Sequence, residues 1–533
     1  MKKQTFLGGV VVLFLAGVIA KVLGAIYRVP LTWILGAEGL GIYQLVFPIF
    51  SLLMVLASAG MPTAISKVVA GYMAKNDFNA VQKVLKVSIK LLSVVGLFFS
   101  IILAVSSYYI ASLQGVPNSV WCYLVIAPSV FLVSVLSAFR GYFQGVANMF
   151  PTAISQIIEQ AGKLIFGLLG SFILIRFGVE FGALGAVLGV TFSEVLALFV
   201  IWLNYLKYRK QANNYSQNEL HSTLHNTSNL TQKEIAKTLI KTSLPIVSAS
   251  VILPFILFVE SLFVVPLLNS VGIGIADATK LWGINTGVVN SLINMPIVLS
   301  LAVAISIVPA VASTQDKKVV NQKYNQSIGL VVLFCLPIAL IFVLLGEPII
   351  SILYFESLGG EQFITLATNM LAVSVIVILL GAILQFQNSI LQGLGKGKIT
   401  LINMAVAGVI QLVLFFVLVS IPNINIWGSV FASIAFYLVS FSLNYFYIRF
   451  KLKIKFDLKV VLPSIAGAVL MGMFIGNVLI FNGSQSILSL ILSVIGGVVL
   501  YLFSLLTFGA FKNYNFNVLR LKKKQLNNKN FNG

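Results

Sequence analysis

The sequence predicts an all-α integral membrane protein of 14 transmembrane helices. Three observations carry this expectation: the composition, the length of the apolar runs, and the alternation of basic residues between them. Of 533 residues, 59% are hydrophobic and 9% are charged, with a mean hydropathy of +1.01. Soluble domains carry about 25% charged residues, so a bilayer is the environment this chain fits. The net charge of +21 raises the question of nucleic acid. That reading needs a basic face on a soluble fold. Here the charges fill short gaps between apolar runs of about 20 residues, the length that crosses a bilayer, and no nucleic-acid partner is expected.

Taken in order, the runs are bounded by charge. The first, 5–27, follows Lys2 and Lys3 and closes at Arg28. It resembles a signal peptide, but Lys21 stands where a small-residue cleavage site should end, so an uncleaved helix is expected. Next comes 40–60, followed by 5 cations from Lys67 to Lys90. Runs 88–111 and 120–139 lead to Arg140, and 151–175 leads to Arg176. Run 182–205 ends at the 6 cations from Lys207 to Lys241. Runs 243–268 and 283–312 flank Lys280 and precede the 3 cations from Lys317 to Lys323. Runs 327–346 and 364–388 come before Lys396 and Lys398. Beyond 399–421 and 427–448 lie 5 cations from Arg449 to Lys459; 460–480 and 487–508 lead to 6 from Lys512 to Lys529. With the N-terminus inside, 30 of the 35 Lys and Arg fall on the cytoplasmic side and Arg28, Arg176 and Lys280 on the outer. Lys21 and Lys163 remain within helices. Adding or dropping one helix would scramble this inside-positive alternation.

The longest gap, Lys207 to Glu234, is rich in Asn, Ser and Thr and reads as a cytoplasmic linker. It divides the chain into an N-lobe (1–206), a linker (207–240), a C-lobe (241–450), and two final helices with a basic tail (451–533). His221 and His225 stand four apart there without a third ligand, so no metal site is expected. The sequons at Asn226 and Asn229 fall on the cytoplasmic side, where glycosylation is not expected. Cys122 and Cys335 read as packing residues within apolar runs.

A weak internal repeat supports two six-helix lobes. Pro62-Thr-Ala64 resembles Pro309-Ala310, and Gln144-Gly145 resembles Gln392-Gly393, at offsets of 247 and 248. An even number of helices per lobe gives both one orientation. A pseudo-two-fold along the membrane normal is then expected, with the substrate path between the lobes.

No nucleotide-binding loop, nucleophile elbow or metalloprotease motif is present. Neither catalysis nor a cofactor is therefore expected. Polar residues at membrane depth are costly and mark function by default. The fifth run carries Gln156, Glu159, Gln160 and Lys163 on one stripe, with Glu159 and Lys163 as an i, i+4 pair. Lys163 lies about 18 Å into that helix. The stripe reads either as a self-neutralised ion pair or as a cavity wall for an anionic substrate. Lys21 and Arg28, seven apart, either snorkel or attract phosphate. Glu194 and Glu260 read as proton or cation sites, or as partners for Lys163 or Lys21. Asn290 and Asn294, with Gln385 and Asn388, are amides for sugar hydroxyls or for gluing helices together. Pro254 and Pro296 predict kinks. Gly178, Gly182, Gly185 and Gly189 predict close packing of the sixth helix.

Several segments resemble the SpoVB/YtgP-type polysaccharide biosynthesis membrane proteins of Gram-positive bacteria. They are Lys21-Val-Leu-Gly24, Gly36-Ala-Glu-Gly-Leu-Gly41-Ile-Tyr43-Gln44, Pro62-Thr-Ala-Ile-Ser-Lys67, Arg140-Gly-Tyr-Phe-Gln-Gly145 and Pro151-Thr-Ala-Ile-Ser-Gln156-Ile-Ile-Glu159-Gln160. That family belongs to the multidrug/oligosaccharidyl-lipid/polysaccharide exporter superfamily and is related to the MurJ-type lipid II flippases. The resemblance implies a V-shaped bundle in the bacterial plasma membrane, both termini cytoplasmic, working by alternating access. It implies an undecaprenyl-pyrophosphate-linked saccharide as substrate, lipid II first, with cell-wall synthesis enzymes as partners. Lys21, Arg28 and Lys163 would then meet the pyrophosphate, and the last two helices would form a groove for the lipid tail. MurJ-type flippases of Gram-negative bacteria carry a cavity arginine on the eighth helix, where this chain has Asn285, Asn290 and Asn294. Two competing functions are a proton- or sodium-coupled drug antiporter and a non-transporting scaffold.

Overall fold

The computed structural model describes residues 6–218, 231–297, 300, 311, 316–355, 357–482 and 487–510, and those residues include no strand. The first two expected helices form one run, α1 (Phe6–Ser58), broken where Gly36 takes φ 64° and ψ −178°. A side chain is rarely accommodated at that φ, so glycine sets the position of the break. Arg28 consequently lies inside a helix, a correction to the outer-loop position expected from a boundary at 27. Gly60, also at positive φ, starts α2 (Met61–Met73), with Pro62 in its first turn. Asp77 caps α3 (Phe78–Leu113) by accepting from the Ala80 amide at 2.9 Å. Then follow α4 (Val120–Gly145), α5 (Phe150–Leu174) and α6 (Val179–Asn218).

The expected linker has helix at both ends, because α6 runs through residue 218 and α7 (Gln232–Ser250) starts early. Thr231 and Glu234 explain that start. The Glu234 amide donates to Thr231 Oγ1 and the Thr231 amide donates to the Glu234 carboxylate, a reciprocal capping box. His221, His225 and both sequons lie outside the described residues. The seventh expected helix is two helices, α7 and α8 (Ile252–Ser270), which meet at Val251. Pro254 falls in the first turn of α8 and cannot donate an N–H back to Ser250, so the interruption at Val251 lies where this proline predicts a kink. Next, α9 (Ile275–Trp282) passes into a π-helical stretch, Gly283–Val289. Beyond 297 the expected 283–312 helix is largely outside the described residues, as is Pro309.

The remainder comprises α10 (Lys317–Leu344), α11 (Gly346–Tyr354), α12 (Glu361–Gly393), α13 (Gly397–Val419), α14 (Trp427–Phe446), α15 (Leu462–Asn482) and α16 (Ile487–Thr507). Among the described residues 12 runs are long and apolar enough to cross a membrane; the run Val11–Met73 counts as one although Gly36 and Gly60 interrupt it. The repeat motifs occupy equivalent places where they are described: Gln144-Gly145 closes α4 and Gln392-Gly393 closes α12.

The chain packs as two units. One comprises Met1–Leu292, Leu353–Met370 and Met404–Phe436; the other comprises Ile293–Ile352, Leu371–Asn403 and Tyr437–Gly533. In the first, α3 shows how a helix packs without water to drive it. Its buried face mixes small residues (Ser88, Gly96, Ser100, Ser107) with Leu85, Leu92 and Leu103, while Val94, Leu97, Ile101, Val105 and Tyr108 are exposed. Apolar exposure at helical spacing is what lipid contact requires, and small residues let backbones approach. The resemblance motifs do the same work. A Cβ on Gly141 would meet Ile65 Cβ at 2.8 Å, and one on Gly145 would meet Val69 Cβ at 2.5 Å, so α2 lies directly on α4. In the second unit, Leu333, Met471, Ile475, Tyr501 and Leu505 join α10, α15 and α16 into one core. Tyr501 Oη donates to the Leu333 carbonyl at 2.9 Å.

Candidate functional site

The expected glycine series sets the register of α5 on α6. A Cβ on Gly185 would lie 2.2 Å from the Gly170 carbonyl oxygen, and one on Gly189 would lie 2.2 Å from the Gly167 nitrogen. One on Gly162 would meet Ser193 Cβ at 2.8 Å. Gly178 instead forms the turn between the helices, at φ 137°. Because Gly162 faces Ser193, the next residue on each helix is brought together, and these are Lys163 and Glu194.

Four charges then alternate in a chain across three helices. Arg140 Nη2 on α4 lies 2.9 Å from Glu159 Oε2 on α5. Lys163 Nζ lies 2.7 Å from Glu159 Oε1 and 3.2 Å from Glu194 Oε1 on α6. The Arg140 Nε–H also donates to Ser155 Oγ at 3.0 Å, and Gln160 Nε2 donates to Glu159 Oε1 at 3.1 Å. Glu159 therefore accepts from three donors. The Arg140, Glu159 and Lys163 side chains are about 15% exposed and Glu194 is 1% exposed. So Glu194 supplies the partner for Lys163, one of the alternatives that the sequence left open. Arg140 was missed: counted as a loop cation, it stands five residues inside the end of α4. Its depth in an apolar run is the signal that could have found it.

Elsewhere in the same unit, α1 carries cations of a different kind. Neither Lys21 nor Arg28 has a carboxylate partner among the described residues. Lys21 is exposed, one turn before Gly24, whose missing Cβ leaves room for Gln160 Oε1. Arg28 donates to Ser291 Oγ, and the hydroxyls of Tyr27, Tyr43 and Tyr354 lie within its electrostatic range. Tyr43 is in range of Lys163 as well, which makes it the link between Arg28 and the charge chain.

The other expected site residues are dispersed. Gln156 Oε1, on α5, is buried without a hydrogen-bond partner. Glu260 on α8 is buried and accepts from Gln411 Nε2 at 2.7 Å. Gln411, a lone amide within an apolar run, was also missed. Asn290 belongs to the first unit, whereas Asn294, Gln385 and Asn388 belong to the second. There Asn388 Oδ1 accepts from Asn444 Nδ2 at 2.8 Å, and Asn444 Oδ1 accepts from Asn403 Nδ2 at 2.8 Å. The glue reading thus has a basis at Asn388. Among the described residues no three His, Cys, Asp or Glu gather as a metal site. A separate cleft lined by Asn118, Trp121, Glu180, Phe181 and Leu184 includes none of these groups, and its Glu180 already accepts from Asn118 at 3.0 Å.

Residues 6–315 match the family described as polysaccharide biosynthesis protein, and residues 282–417 match the MatE family. Stage V sporulation protein B of Bacillus subtilis is 28% identical over 436 residues, 81% of each chain. The lipid II flippase MurJ of the same organism is 26% identical over 466 residues, covering 83% of this chain and 82% of that one. In fold, the chain is similar to the inward closed conformation of a lipid II flippase MurJ, with a TM-score of 0.67 and 14% identity over 94% of this chain and 98% of that one.

Proposed function

Because the chain belongs to the polysaccharide biosynthesis protein family, we propose that it is a flippase that moves an undecaprenyl-pyrophosphate-linked cell-wall saccharide, lipid II first, from the inner to the outer leaflet. The coarse assignment, a multi-pass membrane transporter or flippase of the multidrug/oligosaccharidyl-lipid/polysaccharide exporter superfamily, rests on the family matches and the relatives. The finer one rests chiefly on one observation. Lys21 and Arg28 lie on one face of α1, with no carboxylate among the described residues to neutralise them. A pyrophosphate supplies the missing counter-charge. The guanidinium offers forked N–H donors, and the Tyr and Ser hydroxyls around it offer more.

Lys163 has a different share in this reading. Held between two carboxylates, it carries no spare charge while both are ionised. Arg28 and Lys21 make first contact with the phosphates, while Gln156 and Gln160 line the approach. The lobes at 1–206 and 241–450 alternate in access, in the plasma membrane of a bacterium with both termini in the cytoplasm. Residues 451–533 supply the two helices that hold the lipid tail. Asn290, Asn294, Gln385 and Asn388 meet the saccharide, and cell-wall synthesis enzymes deliver and take the substrate.

Purified protein in vesicles should transfer labelled lipid II to the outer face, and Arg28→Ala should abolish that transfer without loss of folding. Unchanged transfer by Arg28→Ala would reject the assignment. A second reading, a proton- or sodium-coupled drug antiporter, is favoured by Glu260, a buried carboxyl that accepts from the amide of Gln411. Drug efflux that depends on Glu260, with no transfer of lipid II, would favour it. In the flippase the same carboxyl is the site of the coupling ion.

A further inference from the structure

The two carboxylates that hold Lys163 are not equivalent. Glu159 uses both oxygens, whereas Glu194 uses only Oε1; its buried Oε2 has no hydrogen-bond partner. A buried acceptor left bare costs about 1–3 kcal/mol, and more when it is charged. One proton on Oε2 removes the charge, and with it the larger part of that cost. It also changes the charge of the chain: Arg140, Lys163, Glu159 and an ionised Glu194 cancel, while a protonated Glu194 leaves one positive charge in excess. The groups that face Glu194 fix where that charge appears. From α5 they are Glu159 and Lys163, and from α4 Arg140; Tyr43 on α1 is in range of Lys163. Arg140 is tied to Ser155 and Glu159, so the freed charge is the Lys163 ammonium.

We propose that Glu194 is a proton-operated latch: a proton taken up at Oε2 releases Lys163 to a phosphate, so that proton uptake and binding of the anionic substrate favour each other. This rests on the anionic-substrate reading above. One O–H bond forms at Oε2 with a proton from solution; the ammonium keeps its three protons, and only its hydrogen bond to Oε1 loosens. Reciprocity follows from thermodynamics, since whatever proton binding adds to phosphate affinity, phosphate binding adds to proton affinity.

The test is binding of undecaprenyl pyrophosphate to the purified full-length protein across a pH series, for wild type and Glu194→Gln. The titration of the probe itself is common to both, so the difference between them is the readout. Wild type should gain affinity on acidification by up to about tenfold per pH unit more than the variant, and Glu194→Gln should bind tightly throughout. Equal pH slopes, or a variant that binds as weakly as wild type at high pH, would overturn the latch alone. Absence of binding by either protein at any pH would overturn the anionic-substrate reading and the linkage together. Infrared difference spectra of the substrate-free protein give an independent check. A carboxylic acid carbonyl component should grow on acidification of wild type that Glu194→Gln lacks; identical difference spectra for the two proteins overturn the latch whatever the binding shows.

Discussion

Glu159→Gln deletes the single negative charge that two cations share. Arg140 and Lys163 approach its oxygens to 2.9 and 2.7 Å. At an effective dielectric of about 20 each contact carries roughly 6 kcal/mol of attraction. Most of this offsets the desolvation of the ions, so the pair adds little net stability when complete. Removing one partner is different, because the stranded charge stays buried, and the loss is about 3–5 kcal/mol. Lys163 retains Glu194, so the stranded group is Arg140, left with Ser155. Cys122 and Cys335 are both free and buried, so a thiol-reactive dye reports unfolding without any added label. Glu159→Gln and Arg140→Gln should each lower the midpoint of dye uptake by several degrees. The double variant should fall well short of the sum, with a coupling of about 1–3 kcal/mol. Additive effects within about 0.5 kcal/mol would refute the shared-charge account.

Other outcomes follow from the same geometry. Gly185→Leu should cost more stability than Gly476→Leu, because a Cβ at the first overlaps the Gly170 backbone and at the second meets nothing within 4 Å; thermal midpoints compare them. Arg28→Lys should keep part of the pyrophosphate binding that Arg28→Ala loses, since the charge stays but the fork does not. Glu260→Gln should fold normally, because an amide can still bond Gln411, yet lose any dependence of transport on a proton or sodium gradient. The Glu234 carboxyl, held below its usual range by the Thr231 backbone and hydroxyl, should protect the start of α7. Its contribution is present above the unfolded carboxylate value and is lost as pH falls through the lowered one. Protection of the amides at 232–235, relative to their intrinsic exchange rate at each pH, should therefore fall in acid, and Thr231→Ala should erase that pH dependence.

The sequence made the helices legible wherever an apolar run was bounded by charge. It misplaced ends where capping chemistry outweighed hydropathy, as at Thr231 and Glu234, which start α7 well before the apolar run. Gly36 was quoted in a motif, yet nothing in hydropathy says that one glycine at positive φ breaks a 53-residue helix. In the site, Glu159 and Lys163 were found because they are neighbours on one helix. Glu194 was found for its depth, but its partner was not determined, since pairing across helices depends on the register that Gly162 and Ser193 set. Arg140 was lost because its place near a helix end made it look like a boundary charge. Lys163 shows the limit most clearly: its depth and its pairing with Glu159 were legible, but the choice of Glu194 as its second carboxylate was not.

The backbone-to-backbone seam of α5 and α6 has a mechanical meaning. Two helices whose peptide planes touch have no compliant layer of side chains through which to slide or tilt. They behave as one girder, and the charges mounted across them ride as passengers during any stroke the protein makes. Bending is left to joints such as the one at Gly36, where the backbone leaves the helical path. A disulfide across the girder should leave turnover intact, whereas a rigid residue placed at Gly36 should stop it.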